Sequence, residues 1–234
     1  MKIALTKTEN PVKHQYYIDW LKAGEEIEVI TLSAENKNLD ELNQCDALVL
    51  SGGIDIHPKY YGGTLDYPGA PPNFNERRDE FEISSFEISQ KNNIPVLGIC
   101  RGMQLINVIQ QGTVIQDLTN DHKNNHTGQP DKYHPVHVEK ESLLSRLTGV
   151  ENGEVNSAHH QAIAMLGKGL LVNSVSEDGT VEGIEWQNKE KAFMLAIQWH
   201  PERMFERPGS PLSAGIRNQF ISAIKNSIVR NADH

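Results

Sequence analysis

Chemistry is best invested in Cys100, which lies in the stretch Ile94 to Met103, IPVLGICRGM. A short apolar run reaching Gly98 leads into Gly98-Ile99-Cys100-Arg101-Gly102, and a helical pattern (Met103, Ile106, Asn107, Ile109, Gln110) begins just beyond. Strand, sharp turn and helix form the thiol counterpart of a serine elbow. A nucleophile on such a turn stands above the sheet with the N–H groups of the following helix beneath it. The positive end of that helix favours thiolate over thiol. Glycines on both sides of Cys100 permit the turn, because a side chain at either place would strike the neighbouring strand or helix. A lone cysteine is more often a buried structural residue; the flanking glycines and the strand-helix context are what set this one apart.

A nucleophilic cysteine needs a base within hydrogen-bond reach, and the base needs a group that fixes its tautomer. Gln198-Trp199-His200-Pro201-Glu202 follows the apolar strand Phe193 to Ile197. His200 and Glu202 are two apart, so in extended backbone they project to the same side, with Pro201 restraining the chain between them. Glu202 would accept from one imidazole nitrogen while the other faces Cys100; the alternative is a solvated pair at a strand end. A tetrahedral oxyanion also needs donors. The backbone N–H of Arg101 at the helix start is one, and that of Gly53, in Ser51-Gly52-Gly53 after another apolar strand, is the second. For a glycine pair taken alone, an ordinary strand-to-loop turn is the competing reading.

Positioning these groups requires a parallel sheet. Lys2 to Thr6, Glu26 to Thr31 and Asp46 to Leu50 read as strands, separated by a helix over Val12 to Ala23 and a helical turn over Leu39 to Gln44. Ile54 to Asn75 has no period and leaves the C-terminal end of a strand, where ligands bind in open α/β sheets. A helix over Arg78 to Gln90 precedes the strand that ends at Cys100. Thr113 to Leu118 looks extended, and Thr119 to Tyr133 reads as a polar surface excursion carrying His122 and His126. Short strands follow at Val136 to Glu139, Glu154 to Asn156, Leu170 to Ser176, Val181 to Trp186 and Phe193 to Gln198, which suggests antiparallel pairing appended to the parallel sheet. Leu212 to Val229 reads as an amphipathic closing helix. The expected fold is therefore one α/β domain over residues 1–234, three-layered, with a mostly parallel central sheet flanked by helices and a small antiparallel extension.

Composition narrows the partners. A formal charge of −9 over 234 residues argues against nucleic acid or an anionic membrane as the main partner. No apolar run approaches the roughly 18 residues that cross a bilayer, and MKIALTKTENP does not read as a secretory signal. Two cysteines are too few for a disulfide scaffold, so a cytoplasmic location is expected, with Cys45 buried and inert. The histidines show no compact ligand spacing such as H-E-x-x-H, so neither a metal nor an organic cofactor is expected. Tyr60, Tyr61 and Tyr67, read as exposed, could serve a homodimer interface as well as a pocket.

With these segments in hand, the chain resembles the class I glutamine amidotransferase superfamily, of flavodoxin-like fold, whose triad is Cys, His, Glu in this chain order. The likeness rests on LGICRGMQ around Cys100, SGG at Ser51 to Gly53 and QWHPE at Gln198 to Glu202. GGIDIHPKYYG (Gly52 to Gly62), ERRDEFE (Glu76 to Glu82), QDL (Gln116 to Leu118), VNSAHHQAI (Val155 to Ile163) and DGTVEGIE (Asp178 to Glu185) are similar to the branch of γ-glutamyl-γ-aminobutyrate hydrolases, of peptidase C26 type. That resemblance implies hydrolysis of a small-molecule γ-glutamyl amide, with Cys100 as nucleophile, His200 as base and later acid, and Glu202 as orienting carboxylate. It implies substrate contact from Gln104, Ser157, His159 and His160, although a pair of structural histidines is an equal alternative for the last two. Arg78 and Asp79 would help cover the pocket or serve as a helix-start surface pair. A departure is visible at Gln110-Gln111-Gly112, where the branch usually has a glycine pair; a local change in the helix C-terminus is expected there. Two other functions stay open: a glutaminase subunit handing ammonia to a synthetase, and a catalytically silent ligand-binding member of the fold. The amine, whether γ-aminobutyrate, a polyamine, an amino acid or ammonia, is not legible.

Overall fold

In the parallel strands, successive side chains serve opposite helical layers, as the two-residue period of extended chain requires. The computed structural model of the protein describes residues 1–118, 122 and 126–232, with the side chains of 230–232 left aside. Its elements are β1 (Lys2–Thr6), α1 (Pro11–Lys22), β2 (Glu28–Leu32), β3 (Ala47–Leu50), α2 (Glu76–Lys91), β4 (Val96–Ile99), α3 (Arg101–Ile109), β5 (Thr113–Ile115), β6 (Lys132–Val138), α4 (Leu143–Thr148), β7 (Asn152–Ser157), β8 (Ala162–Met165), β9 (Leu170–Ser176), β10 (Val181–Trp186), β11 (Met194–Ile197) and α5 (Ile216–Ala232). One sheet runs in the order β2-β1-β3-β4-β11-β10-β9-β6-β7, while β5 and β8 pair separately.

On one face, Ile3, Leu5, Val49, Leu97, Ile99, Leu195 and Ile197 pack on Tyr17, Trp20 and Leu21 of α1 and on Phe220 and Ile224 of α5. On the other, Ala4, Leu48, Leu50, Val96, Met194 and Ala196 meet Phe86 of α2 and Met103 and Ile106 of α3. Fully burying each such aliphatic or aromatic side chain stabilises by about 1.5–3 kcal/mol, so three layers follow from the alternation. The helix starts are fixed locally: the Asn10 side chain accepts from Val12 N and Lys13 N with Pro11 at the first position of α1, and the Asn75 side chain accepts from Arg78 N at the start of α2.

The strands that carry the site, β3, β4 and β11, are parallel neighbours. Leu50 pairs with Gly98 and Ile99 with Ile197, so the three C-terminal ends reach the same sheet edge. Beyond β11 the sheet continues antiparallel through β10, β9, β6 and β7. The sheet is thus mostly parallel, through β2, β1, β3, β4 and β11, with an antiparallel extension as expected, here of four strands. Two elements escaped the sequence reading. Ser142, whose side chain accepts from Ser145 N, and Gly149 at φ 70° bracket α4 with ordinary cap chemistry; β8 was absorbed into the VNSAHHQAI motif. The excursion expected over residues 119–133 falls partly outside the described residues, and its last two belong to β6. No helix among the described residues is long and apolar enough to cross a membrane.

Candidate active site

Cys100 is the turn itself. Its backbone sits at φ 53°, ψ −105°, a region that costs a non-glycine residue about 1–3 kcal/mol. Hydrogen bonds from both sides offset that strain: Cys100 N donates to Ile197 O at 2.8 Å, while Cys100 O accepts from Met103 N and Gln104 N at 3.0 and 3.2 Å. The close approach of α3 to β3 explains Gly102, where a Cβ would stand 2.2 Å from the carbonyl oxygen of Leu50. At the sulfur, the Gln198 side-chain amide donates to Sγ at 3.4 Å, and Gln198 is held in turn by Gln104, whose Nε2 donates to Gln198 Oε1 and to the Gln161 carbonyl, both at 3.1 Å.

His200 and Glu202 follow the end of β11 as the sequence suggests, but on a 3₁₀ turn over Pro201–Arg203. His200 Nδ1 donates to Glu202 Oε1 at 2.8 Å, and both residues are buried. The backbone is anchored by His200 N donating to Asn156 Oδ1 at 3.1 Å. Burial opposes charge on the imidazole, yet the Glu202 carboxylate, together with Cys100, outweighs it and holds the His200 pKa at about 9. A protonated imidazole next to a cysteine is the setting in which a sulfur is both nucleophilic and supplied with a proton donor. Gly52 fits between the two: a Cβ there would lie 2.9 Å from His200 Cε1 and 3.6 Å from Cys100 Cβ.

Tyr17 was not legible as a site residue, since it sits in the apolar stripe of α1 with Trp20 and Leu21. Its hydroxyl accepts from Gly52 N at 3.0 Å and lies 3.4 Å from His200 Nδ1. Complete burial, with the Glu202 charge adding to it, pushes the phenol well above its ordinary pKa, so it stays protonated. The π-helical turn Pro211–Gly215 that leads into α5 also matters: Trp199 Nε1 donates to Leu212 O at 3.0 Å and Ser213 Oγ to Pro201 O at 2.6 Å, buttressing the His200–Glu202 turn.

The candidate oxyanion donors are aimed by one buried ion network. Arg78 donates to Gly52 O at 2.9 Å. That carbonyl and the Gly53 N–H belong to the same trans peptide and point in opposite directions, so the guanidinium fixes where Gly53 N–H points. Arg101, as the first residue of α3, leaves its N–H without an intrahelical acceptor. Its side chain is paired with both Asp79 and Glu82, and Glu82 also accepts from Arg78 Nε at 2.8 Å. Burial pushes the Glu82 carboxyl up, but Arg101 and Arg78 prevail and hold it below its usual range. Arg78 carries the network outward to the exposed Glu9 at 2.6 Å and inward to Ser51 Oγ at 3.1 Å. Arg78 and Asp79 are therefore interior residues, not a surface pair on α2.

The residues expected to touch substrate are distributed more widely. Gln104 is buried beside Cys100 in the relay just described. Ser157 is buried with its hydroxyl 3.2 Å from His126 Nδ1. His159 is buried, with Nδ1 bonded to Gln161 O at 2.9 Å and Nε2 3.6 Å from Glu182. His160 turns the other way, between Asp117 at 3.0 Å and Asp55 at 3.1 Å, and those carboxylates raise its pKa. Asp55 also accepts from Tyr67 at 2.7 Å, which ties the 54–75 loop to the segment after β7. Tyr61 is buried and Tyr60 and Tyr67 half-buried, so none is the exposed interface residue expected. Cys45 is buried, its thiol pushed up to about 11 mainly by burial, as an inert cysteine should be.

The chain matches the Peptidase C26 family over residues 4–202, and it belongs to that family, within the class I glutamine amidotransferase superfamily. A Lactococcus lactis protein named as glutamine amidotransferase-like, YvdE, is 38% identical over 199 residues, covering 82% of this chain and 81% of its own. The γ-glutamyl-γ-aminobutyrate hydrolase PuuD of Escherichia coli K12 is 32% identical over 207 residues, covering 83% and 78%. Among solved structures, the CTPS glutaminase domain of Trypanosoma brucei superposes with a TM-score of 0.68 at 17% identity, over 97% of this chain and 94% of that one, and so shares the fold.

Proposed function

We propose that the protein hydrolyses γ-glutamyl amides through a thioester on Cys100, with γ-glutamyl-γ-aminobutyrate or a related γ-glutamyl amine as substrate. Carrying this reading is the position of Cys100 in strained backbone at the start of α3, beside a buried His200–Glu202 pair. In the first half-reaction the Cys100 thiolate attacks the γ-carbonyl, and the oxyanion takes hydrogen bonds from the N–H groups of Arg101 and Gly53. His200 gives its proton to the departing amine as the C–N bond breaks. In the second, His200 draws a proton from water, the hydroxide attacks the thioester, and glutamate leaves as the thiolate re-forms. Glu202 keeps the imidazole oriented through both steps. The family membership and the PuuD similarity support a hydrolase of this kind.

Selectivity for the amine is assigned to the 54–75 loop, which is docked to the rest of the chain by polar contacts. Besides the Tyr67–Asp55–His160 chain, Thr64 N donates to Gln116 Oε1 at 3.0 Å and Gln116 Nε2 to Thr64 O at 2.7 Å. A loop fastened at both residues of a Thr-Gln exchange and at a carboxylate-flanked histidine is preorganised to form a wall of a small-molecule site. The test is glutamate release from a panel of γ-glutamyl amides, among them γ-glutamyl-γ-aminobutyrate, γ-glutamylputrescine and glutamine. Release fastest from an amine-bearing member supports the reading; release from glutamine alone points to an ammonia-delivering glutaminase, and release from none sinks it.

A further inference from the structure

Away from Cys100, four buried side chains from four separate segments converge: His126, His134 of β6, His159 of the loop after β7, and Glu182 of β10. One donor atom from each lies within 4.8 Å of all the others. Glu182 Oε1 is 3.6 Å from His126 Nδ1, 3.7 Å from His134 Nε2 and 3.6 Å from His159 Nε2. Such contacts are too long for hydrogen bonds. Both Glu182 oxygens and the Nε2 atoms of His134 and His159 are buried without a hydrogen-bond partner, which is costly for polar groups in a protein interior.

The far nitrogen of each ring is already engaged. His126 Nε2 bonds Asp178 at 3.0 Å, His134 Nδ1 the Pro135 carbonyl at 3.0 Å, and His159 Nδ1 the Gln161 carbonyl at 2.9 Å. A carboxylate or carbonyl acceptor obliges each of those nitrogens to carry the proton, so the lone pair of each ring is on the side facing Glu182; on His126 that lone pair now meets the Ser157 hydroxyl at 3.2 Å, the one hydrogen bond an ion would displace. Outer acceptors of this kind are what orient metal-binding histidines. Glu182 itself sits where the pairing of β10 with β9 slips register between Val181 and Gly183, a bulge that aims a side chain inward. Bonds of about 2.0–2.1 Å to N and O at tetrahedral angles separate ligand atoms by roughly 3.3–3.4 Å; the three Glu182–histidine separations of 3.6–3.7 Å come within a few tenths of an ångström of that, while the widest separation in the group, up to 4.8 Å, would have to draw in on binding.

We propose that His126 Nδ1, His134 Nε2, His159 Nε2 and a Glu182 carboxylate oxygen form a closed, structural tetrahedral site for a divalent transition cation, Zn²⁺ by its donor set. Three neutral imidazoles, Glu182 and the outer Asp178 would balance the ion's two charges. The ion would clasp β6, β10, the loop after β7 and the chain around His126 together, and it would be there whatever reaction Cys100 performs. Sequence spacing gave no hint of it because the ligands are 8, 25 and 23 residues apart along the chain.

Untagged protein, purified without chelator, is expected to carry about one zinc per chain by plasma mass spectrometry, and after stripping to take up Co²⁺ with the intense visible absorption of a tetrahedral ion. Glu182→Gln and His134→Ala should each hold a tenth of that zinc or less, and Asp178→Asn should weaken affinity about 10–100-fold. If a ligand variant does not fold, the wild type decides: the Tm of the stripped protein rises with added Zn²⁺. Wild type that neither carries zinc, nor binds Co²⁺, nor gains Tm with Zn²⁺ overturns the site, as does full zinc content in both ligand variants.

Discussion

The two halves of the sheet treat buried charge differently. Beside the parallel strands, Arg78, Arg101, Asp79, Glu82 and Glu9 form an ion network supplied by the chain itself, and His200 leans on Glu202. Among the antiparallel strands, Glu182 faces three histidines and accepts a hydrogen bond from none. Four of the five network members come from α2 and the start of α3, and one pair, Arg78 with Glu82, is already set by i, i+4 spacing within a helix. The histidine cluster draws on four remote segments and contains no arginine or lysine. A buried carboxylate needs positive charge from somewhere: the half that carries Cys100 has it in guanidinium groups, which in turn orient the candidate oxyanion donors, and in the other half the proposed ion would supply it.

Removing charges one at a time sharpens that contrast. Glu202→Gln is expected to have the largest effect, lowering kcat by about 10²–10⁴-fold. Because Glu202 is what keeps the His200 pKa near 9, the alkaline limb of the pH–rate profile should also move to lower pH. A profile with an unmoved alkaline limb would separate the two residues functionally. Arg78→Met leaves Glu82 with one guanidinium and frees the Gly52–Gly53 peptide. It should cost about 3–5 kcal/mol in urea unfolding, with the same cost in the presence of a chelator; a chelator-dependent cost would mean the two halves are coupled.

Next in size is the pH dependence of stability. The folded pKa of His200 is raised from 6.5 to about 9, so the protonated form is favoured by folding. The associated stability, about 3 kcal/mol, is fully present below pH 6.5 and is lost as pH rises through about 9. Comparing unfolding at about pH 6 and about pH 10 should show that loss in wild type and not in His200→Gln. Gln198→Ala removes a donor to the Cys100 sulfur and should lower kcat by roughly 10-fold or more; because it also takes the acceptor from Gln104 Nε2 in a buried site, it should cost about 1–3 kcal/mol in stability as well. The smallest effect belongs to Gln111→Gly. Gln111 sits at φ 68° just beyond α3, where glycine is at ease, and the change should stabilise by about 1 kcal/mol.

What the sequence disclosed and what it hid divide along the same line. Cys100, Gly53 and His200 were legible because each follows an apolar strand, and parallel neighbours necessarily bring their C-terminal ends to one edge. Glu202 was legible as the acid two residues beyond His200, although a 3₁₀ turn, not the extended backbone expected, is what brings the two together. Arg78 was visible as a charge at a helix start, but its burial depends on α2 packing beside α3, which no local pattern states. Tyr17 had no signal beyond its apolar stripe. Glu182 is hidden most deeply: its inward aim depends on a bulge in β10, and its companions on the pairing of β6 with β9.

The central claim is that catalysis passes through a γ-glutamyl thioester on Cys100. Its most direct measurement is rapid acid quench of wild type turning over its best γ-glutamyl amide, followed by peptide mass mapping, with Cys100→Ala run in parallel. The account predicts a glutamyl adduct confined to the peptide containing Cys100, and glutamate release at least about 10³-fold slower in the variant. Glutamate released by Cys100→Ala at the wild-type rate would contradict it.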